Sequence, residues 1–211
     1  MLGYYNYSVI LTYLSMIFAT IGFSNVLKGG ENSIFAALIC LLFSGVCDMF
    51  DGAIAKRCNR NDEEKLFGIE IDSLVDLVAF GALPAVITLK LAESSVFSAV
   101  GAGLILLSSV IRLGYFNVQE FSRDRTEKLL HYTGLPVTTV AVFFPALLLL
   151  NVLFKLPYAI WAPSCLVLLA ALEVSRLPVK KPYGKAKAVV VIVGAVMLTL
   201  LCLFGKQIGA Q

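Results

Sequence analysis

The sequence predicts an all-α, polytopic membrane bundle of about seven helices. Three observations predict it. Of the 211 residues, 59% are hydrophobic and only 15% charged, against about 25% charged in ordinary soluble domains. The mean hydropathy is strongly positive along the whole chain rather than in one segment. Turn-forming clusters such as LKGGEN (27–32), AESS (92–95) and LPVKKPYG (177–184) break it at intervals.

A membrane-crossing helix needs about 20 mostly apolar residues. That ruler gives spans at 8–27, 33–55, 69–92, 96–116, 136–154, 158–174 and 187–204, within one membrane domain covering 1–211. The longest polar stretch, NVQEFSRDRTEKLLHYT (117–133), reads as a solvated connector or a short surface helix. Orientation follows from lysine and arginine, which are retained on the cytoplasmic side. Most of the 17 such residues fall in the loops after the second, fourth and sixth spans, including Lys56, Arg57, Arg60, Arg112, Arg125, Lys180 and Lys181. The N-terminus and those loops are therefore expected inside. No Lys or Arg precedes Lys28, so the first span is expected to be kept rather than cleaved as a leader.

The five cysteines form no C-x-x-C pair and read as small buried hydrophobes, not metal ligands or disulfides. His131 is the only histidine and reads as a loop residue. Gly101 and Gly103 would allow close helix packing. No nucleic-acid partner is expected.

Four aspartates stand out in this apolar chain. Asp48 and Asp51 lie in CDMFDGAIAK (47–56), and Asp72 and Asp76 lie in GIEIDSLVDLVAFG (68–81). On helices, spacings of three and four put each pair on one face. The intervening loop makes the second and third spans antiparallel, so the two acidic faces can meet near the cytoplasmic ends of their helices. Gly52 and Ala55 flank the first pair with small side chains, leaving room for a bulky group. An aspartate at a membrane-helix centre costs about 2.5–3.5 kcal/mol on insertion scales and usually marks function. Four close carboxylates also resist joint ionisation. Two divalent cations would remove that conflict, and Mg²⁺ or Mn²⁺ prefers such oxygen ligands. Intramembrane carboxylates also carry protons or cations in transporters; the later spans offer little for such a path beyond Glu173 near a helix end.

These residues resemble the CDP-alcohol phosphotransferase family, whose pattern is D-x-x-D-G-x-x-A-R-x8-G-x-x-x-D-x-x-x-D. The chain supplies Asp48, Asp51, Gly52, Ala55, Gly68, Asp72 and Asp76 at those places. Further blocks, FDG (50–52), DSLVDLVAFGALPA (72–85), RLGYFN (112–117) and GLP (134–136), resemble the branch whose acceptor is L-serine. The likeness implies a six-helix core over about 5–181 with the last span outside it. Lys56 stands where the family has arginine, and eleven residues rather than eight separate it from Gly68. Lysine lacks the planar two-pronged contact of arginine, so Arg57 is the alternative.

The resemblance implies transfer of a phosphatidyl group from CDP-diacylglycerol to an alcohol, with release of CMP and the use of two divalent metals, Mg²⁺ or Mn²⁺. By position, Asp48, Asp51 and Asp72 would hold the metals, and Asp76 would bridge to the second and act as base. Gly52, Ala55 and Gly68 would border the CDP-lipid, and Lys56 or Arg57 would meet its diphosphate. Arg112, and less directly Asn117, would meet the acceptor or a phosphate. Glycerol 3-phosphate and an inositol phosphate are the alternative acceptors. Membrane lipids and a second copy in a homodimer are the expected partners.

Overall fold

The computed structural model describes residues 3, 7–55, 58, 60–121, 131–180 and 185–208. It is a helical bundle built from α1 (Ile10–Lys28), α2 (Ser33–Ala55), α3 (Asp62–Asp76), α4 (Leu83–Leu91), α5 (Val96–Phe121), α6 (Val140–Phe154), α7 (Tyr158–Glu173) and α8 (Lys185–Phe204). A π-helical stretch, Leu77–Ala82, joins α3 and α4 into one crossing. Among the described residues, five crossings are long and apolar enough to span a membrane: Ile10–Lys28, Ser33–Gly52, Asp62–Leu91, Val96–Glu120 and Val137–Phe154. Tyr158–Glu173 and Val191–Gln207 are apolar but shorter. The polytopic bundle expected from the sequence is what forms.

Two boundaries differ from expectation. The third crossing starts at Asp62, not 69, because Asn61 caps the helix: its side chain accepts from the Glu64 amide at 2.7 Å, and its own amide donates to the Glu64 carboxylate at 2.9 Å. This reciprocal box, with Asp62, Glu63 and Glu64 in the first turn, stabilises a helix N-terminus outside the apolar zone. The segment 117–133 is also not one connector. The helix α5 runs on to Phe121, and His131–Thr133 pairs antiparallel with Pro178–Lys180 in a two-stranded ribbon. Residues 122–130 lie outside the description.

The core is apolar and interlocked. Leu38 and Leu41 from α2, Phe80 from the π stretch, Leu83 from α4, Ile105 from α5, Phe144 and Leu148 from α6 and Leu166 from α7 are all fully buried. Helices α1 and α2 form a hairpin held by reciprocal hydroxyl contacts, Ser44 Oγ to Ser15 O at 3.0 Å and Ser15 Oγ to Ser44 O at 3.4 Å. Such bonds hold helices together where water and the hydrophobic effect are absent. Of the two packing glycines expected in α5, Gly101 packs closely among the described residues: a Cβ there would lie 3.2 Å from Pro163 Cα, whereas one at Gly103 would meet no described atom within 4 Å. The π stretch changes helical phase directly after Asp76, as π turns do at many functional sites. The acidic face of α3 therefore does not continue into α4, whose Leu83 and Ile87 are fully buried.

Candidate active site

The four aspartates converge. One carboxylate oxygen from each of Asp48, Asp72 and Asp76 lies within 4.8 Å of the others. Asp48 and Asp76 are in hydrogen-bonding contact, and so are Asp51 and Asp72. Asp72 thus belongs to both sub-clusters. Asp51 and Asp76 are buried at 8% exposure, while Asp48 and Asp72 are only partly buried. Among the described residues, no lysine or arginine pairs with any of the four.

The donor set fits a divalent metal. Oxygen ligands about 2.1 Å from an octahedral ion lie about 3–4.2 Å apart, so the triad needs only a small contraction to close on one. The all-carboxylate chemistry suits Mg²⁺ or Mn²⁺ and is poor for softer ions.

Two hydroxyls support this cluster from other helices. Thr12 Oγ1 of α1 donates to Asp51 Oδ2 at 3.4 Å. Thr138, in the 3₁₀ turn Val137–Thr139 ahead of α6, hydrogen-bonds Asp48. Sequence reasoning missed both. For Thr138 a signal existed, since it lies two residues beyond the GLP block; Thr12 is one hydroxyl among several in α1 and carries none.

Around the cluster, Gly52 is exposed, and a Cβ there would meet nothing within 4 Å, so the space expected beside the first pair exists. Ala55 is half-buried at the end of α2. Gly68 lies one turn before Asp72, and a Cβ on it would come 3.1 Å from Arg60 Nη1. Arg60 is therefore a cation on the acidic face that sequence reasoning assigned only to topology. Lys56 and Arg57 lie outside the described residues.

The fourth-span residues take different places. Asn117 lies against α3, with Ser73 Oγ donating to its Oδ1 at 2.9 Å. Arg112 is 6% exposed, not an anchor at the bilayer surface. Its guanidinium carbon stands 4.6 Å from the Phe116 ring centroid, and its Nη1 donates to the Glu173 carbonyl oxygen at 3.1 Å.

The CDP-alcohol phosphatidyltransferase family model matches residues 5–169, about three quarters of the chain and all four aspartates. The chain belongs to that family. Among curated relatives, it is 33% identical over 130 residues to the archaetidylserine synthase of Methanothermobacter thermautotrophicus, covering 61% of this chain and 53% of that protein. It is 36% identical over 99 residues to a CDP-diacylglycerol–serine O-phosphatidyltransferase of Saccharomyces cerevisiae, covering 45% and 35%. A Helicobacter pylori protein of the same name is 28% identical over 134 residues, covering 62% and 53%. The chain thus spans about half, or less, of the curated relatives it matches. Among the described residues, the family's aspartate pattern and this carboxylate cluster are the same four side chains.

Proposed function

We propose that this protein transfers a phosphatidyl group from CDP-diacylglycerol to the hydroxyl of L-serine, giving phosphatidylserine and CMP at the cytoplasmic face of a membrane. The observation that carries this reading is the meeting of Asp48, Asp51, Asp72 and Asp76 at the ends of two antiparallel helices in a chain of this family. Serine as acceptor is supported by the names of the relatives, each similar over part of its length.

Two divalent ions, Mg²⁺ or Mn²⁺, held by the four aspartates would supply charge neutralisation at the transferring phosphorus and the leaving oxygen. The chain's own residues do the rest. Asp76, the more buried member of the α3 pair, takes the proton from the serine hydroxyl. The hydroxyl oxygen forms the new bond to phosphorus, the bond to CMP breaks, and CMP leaves with that electron pair. The open flank at Gly52 accommodates the cytidine, with Ala55 and Gly68 at its edge. Arg60, with Lys56 or Arg57, meets the diphosphate. Arg112 takes the carboxylate of serine through its fork of donors. The inside-loop cations argue for a cytoplasmic N-terminus and active site, and a homodimer is part of the same proposal.

One assay tests it. Purified protein is given CDP-diacylglycerol, Mg²⁺ or Mn²⁺, and serine, glycerol 3-phosphate or an inositol phosphate in separate arms, with ester and ether donors compared. CMP and phosphatidylserine in the serine arm are expected. CMP in another arm alone would replace the acceptor, and ion flux with no CMP in any arm would favour a transporter.

A further inference from the structure

Glu173 is the one acidic residue of α6, α7 and α8, and the metal chemistry leaves it unused. It is 2% exposed at the C-terminal end of α7. Its Oε2 accepts from Ser108 Oγ at 2.7 Å and Ser109 Oγ at 3.1 Å, while its Oε1 is buried with no hydrogen-bond partner among the described residues. The carboxylate lies in the electrostatic reach of the Arg112 guanidinium, which also grips the Glu173 carbonyl oxygen. Gly134 closes over both, at φ +78°: a Cβ there would stand 2.9 Å from Arg112 Nη1 and 2.7 Å from Ser175 O. A buried carboxylate within reach of a buried guanidinium rarely stabilises a fold more than apolar residues of the same volume would. An unpartnered buried oxygen makes this one costlier still. Stability is a poor reason for keeping it.

The network borders the acidic cluster. Ser73 touches Asn117, and Ser109 Oγ lies 3.4 Å from where a Gly81 Cβ would stand. These two contacts set α5 antiparallel to the α3 crossing, in a register that puts Arg112 within about one turn of the level of Asp76 along the helix axes. On the other side, three residues separate Gly134, over Arg112, from Thr138, bonded to Asp48. Arg112 is therefore held against Glu173 at the level of the metal-ligand face.

We propose that Glu173 is a positioning residue: with Ser108 and Ser109 it fixes the Arg112 guanidinium at the level of the aspartate cluster, where it receives the anionic group of the acceptor. This rests on the acceptor reading above, under which that group is the serine carboxylate. Glu173 itself is inaccessible and touches no substrate; it acts through Arg112.

The test is the steady-state kinetics of Glu173→Gln and of the milder Ser108→Ala/Ser109→Ala double variant, with acceptor and donor varied separately. Loss of the carboxylate charge within electrostatic reach of Arg112 predicts a rise of about tenfold or more in the KM for serine in Glu173→Gln, and a smaller rise in the double variant. The KM for CDP-diacylglycerol and kcat at saturating serine should stay within about twofold of wild type, a split that general loosening of the fold would not give. Serine methyl ester, which lacks the anion, should lose no efficiency in either variant. If Glu173→Gln cannot be purified, the double variant reads the same KM. An unchanged serine KM, or a common loss in serine KM, donor KM and kcat, overturns the inference. If wild-type protein uses glycerol 3-phosphate and not serine, the serine reading falls; a raised KM for glycerol 3-phosphate then keeps the positioning role and an unchanged one ends it.

Discussion

At the ends of α2 and α3 four carboxylates face one another with no cation paired to them among the described residues, whereas at the end of α7 the carboxylate of Glu173 meets two hydroxyls and lies beside a guanidinium. The two regions use the same functional group inside one bundle. In the first, two of the four aspartates stay half-exposed and space opens beside Gly52; in the second, packing is closed and Gly134 leaves no room for a side chain. A cluster that repels itself is a place for cations to enter. A carboxylate supplied with its own donors and its own cation is a place that holds something still. The comparison separates a self-repelling cluster from a carboxylate that is supplied with donors.

The comparison can be broken first at the metals. Chelation should abolish CMP release entirely, and added Mg²⁺ or Mn²⁺ should restore it; activity that survives exhaustive chelation would remove the reason for four carboxylates. Next comes Asp76→Asn, which removes the base but keeps the shape. A general base contributes about 10²–10⁴-fold, so kcat should fall by about 10³-fold while CDP-diacylglycerol still binds, measured by calorimetry in detergent. Thr138→Val deletes the hydroxyl on Asp48. Outer-shell partners of metal ligands are worth about 10–100-fold in affinity, so Mn²⁺ affinity should drop by about tenfold, read by titration. Arg60→Ala should raise the KM for CDP-diacylglycerol by about fivefold without touching the KM for serine, since one partly exposed charge-assisted contact is worth about 1 kcal/mol.

The smallest effect is on stability and has opposite signs in the two regions. In metal-free protein, Asp72→Asn relieves repulsion and should raise the melting temperature by about 2–4 °C, roughly the shift that 1 kcal/mol gives a chain of this size. Ser108→Ala removes a donor from buried Glu173 and should lower it by about as much. Equal signs would mean that the two regions are not different in kind.

What the sequence made legible follows the same division. The aspartate pairs could be placed because each lies on one helix, where spacing alone sets the face, and because a short loop forces the two helices antiparallel. The Asn61–Glu64 box was readable too, but a ruler tuned to apolar length ran past it and started the third crossing seven residues late. Glu173 looked like an incidental helix-end acid, since its partners Ser108, Ser109 and Arg112 are 61–65 residues away in the chain. Thr12 stands 39 residues from Asp51. The ribbon of His131–Thr133 with Pro178–Lys180 joins segments nearly fifty residues apart, too short for any strand pattern to show. Contacts across the bundle depend on how helices pack, and neither hydropathy nor spacing encodes that directly.

The central claim is that mutual repulsion among these aspartates is relieved by a shared pair of divalent ions. Mn²⁺ titration of the purified protein followed by electron paramagnetic resonance tests it most directly. Two ions per chain, magnetically coupled as expected for centres about 3.5–4 Å apart, and loss of that coupled signal in Asp72→Asn, are the predicted result. Only free-ion signal at saturating Mn²⁺, or a coupled signal unchanged by Asp72→Asn, would contradict it.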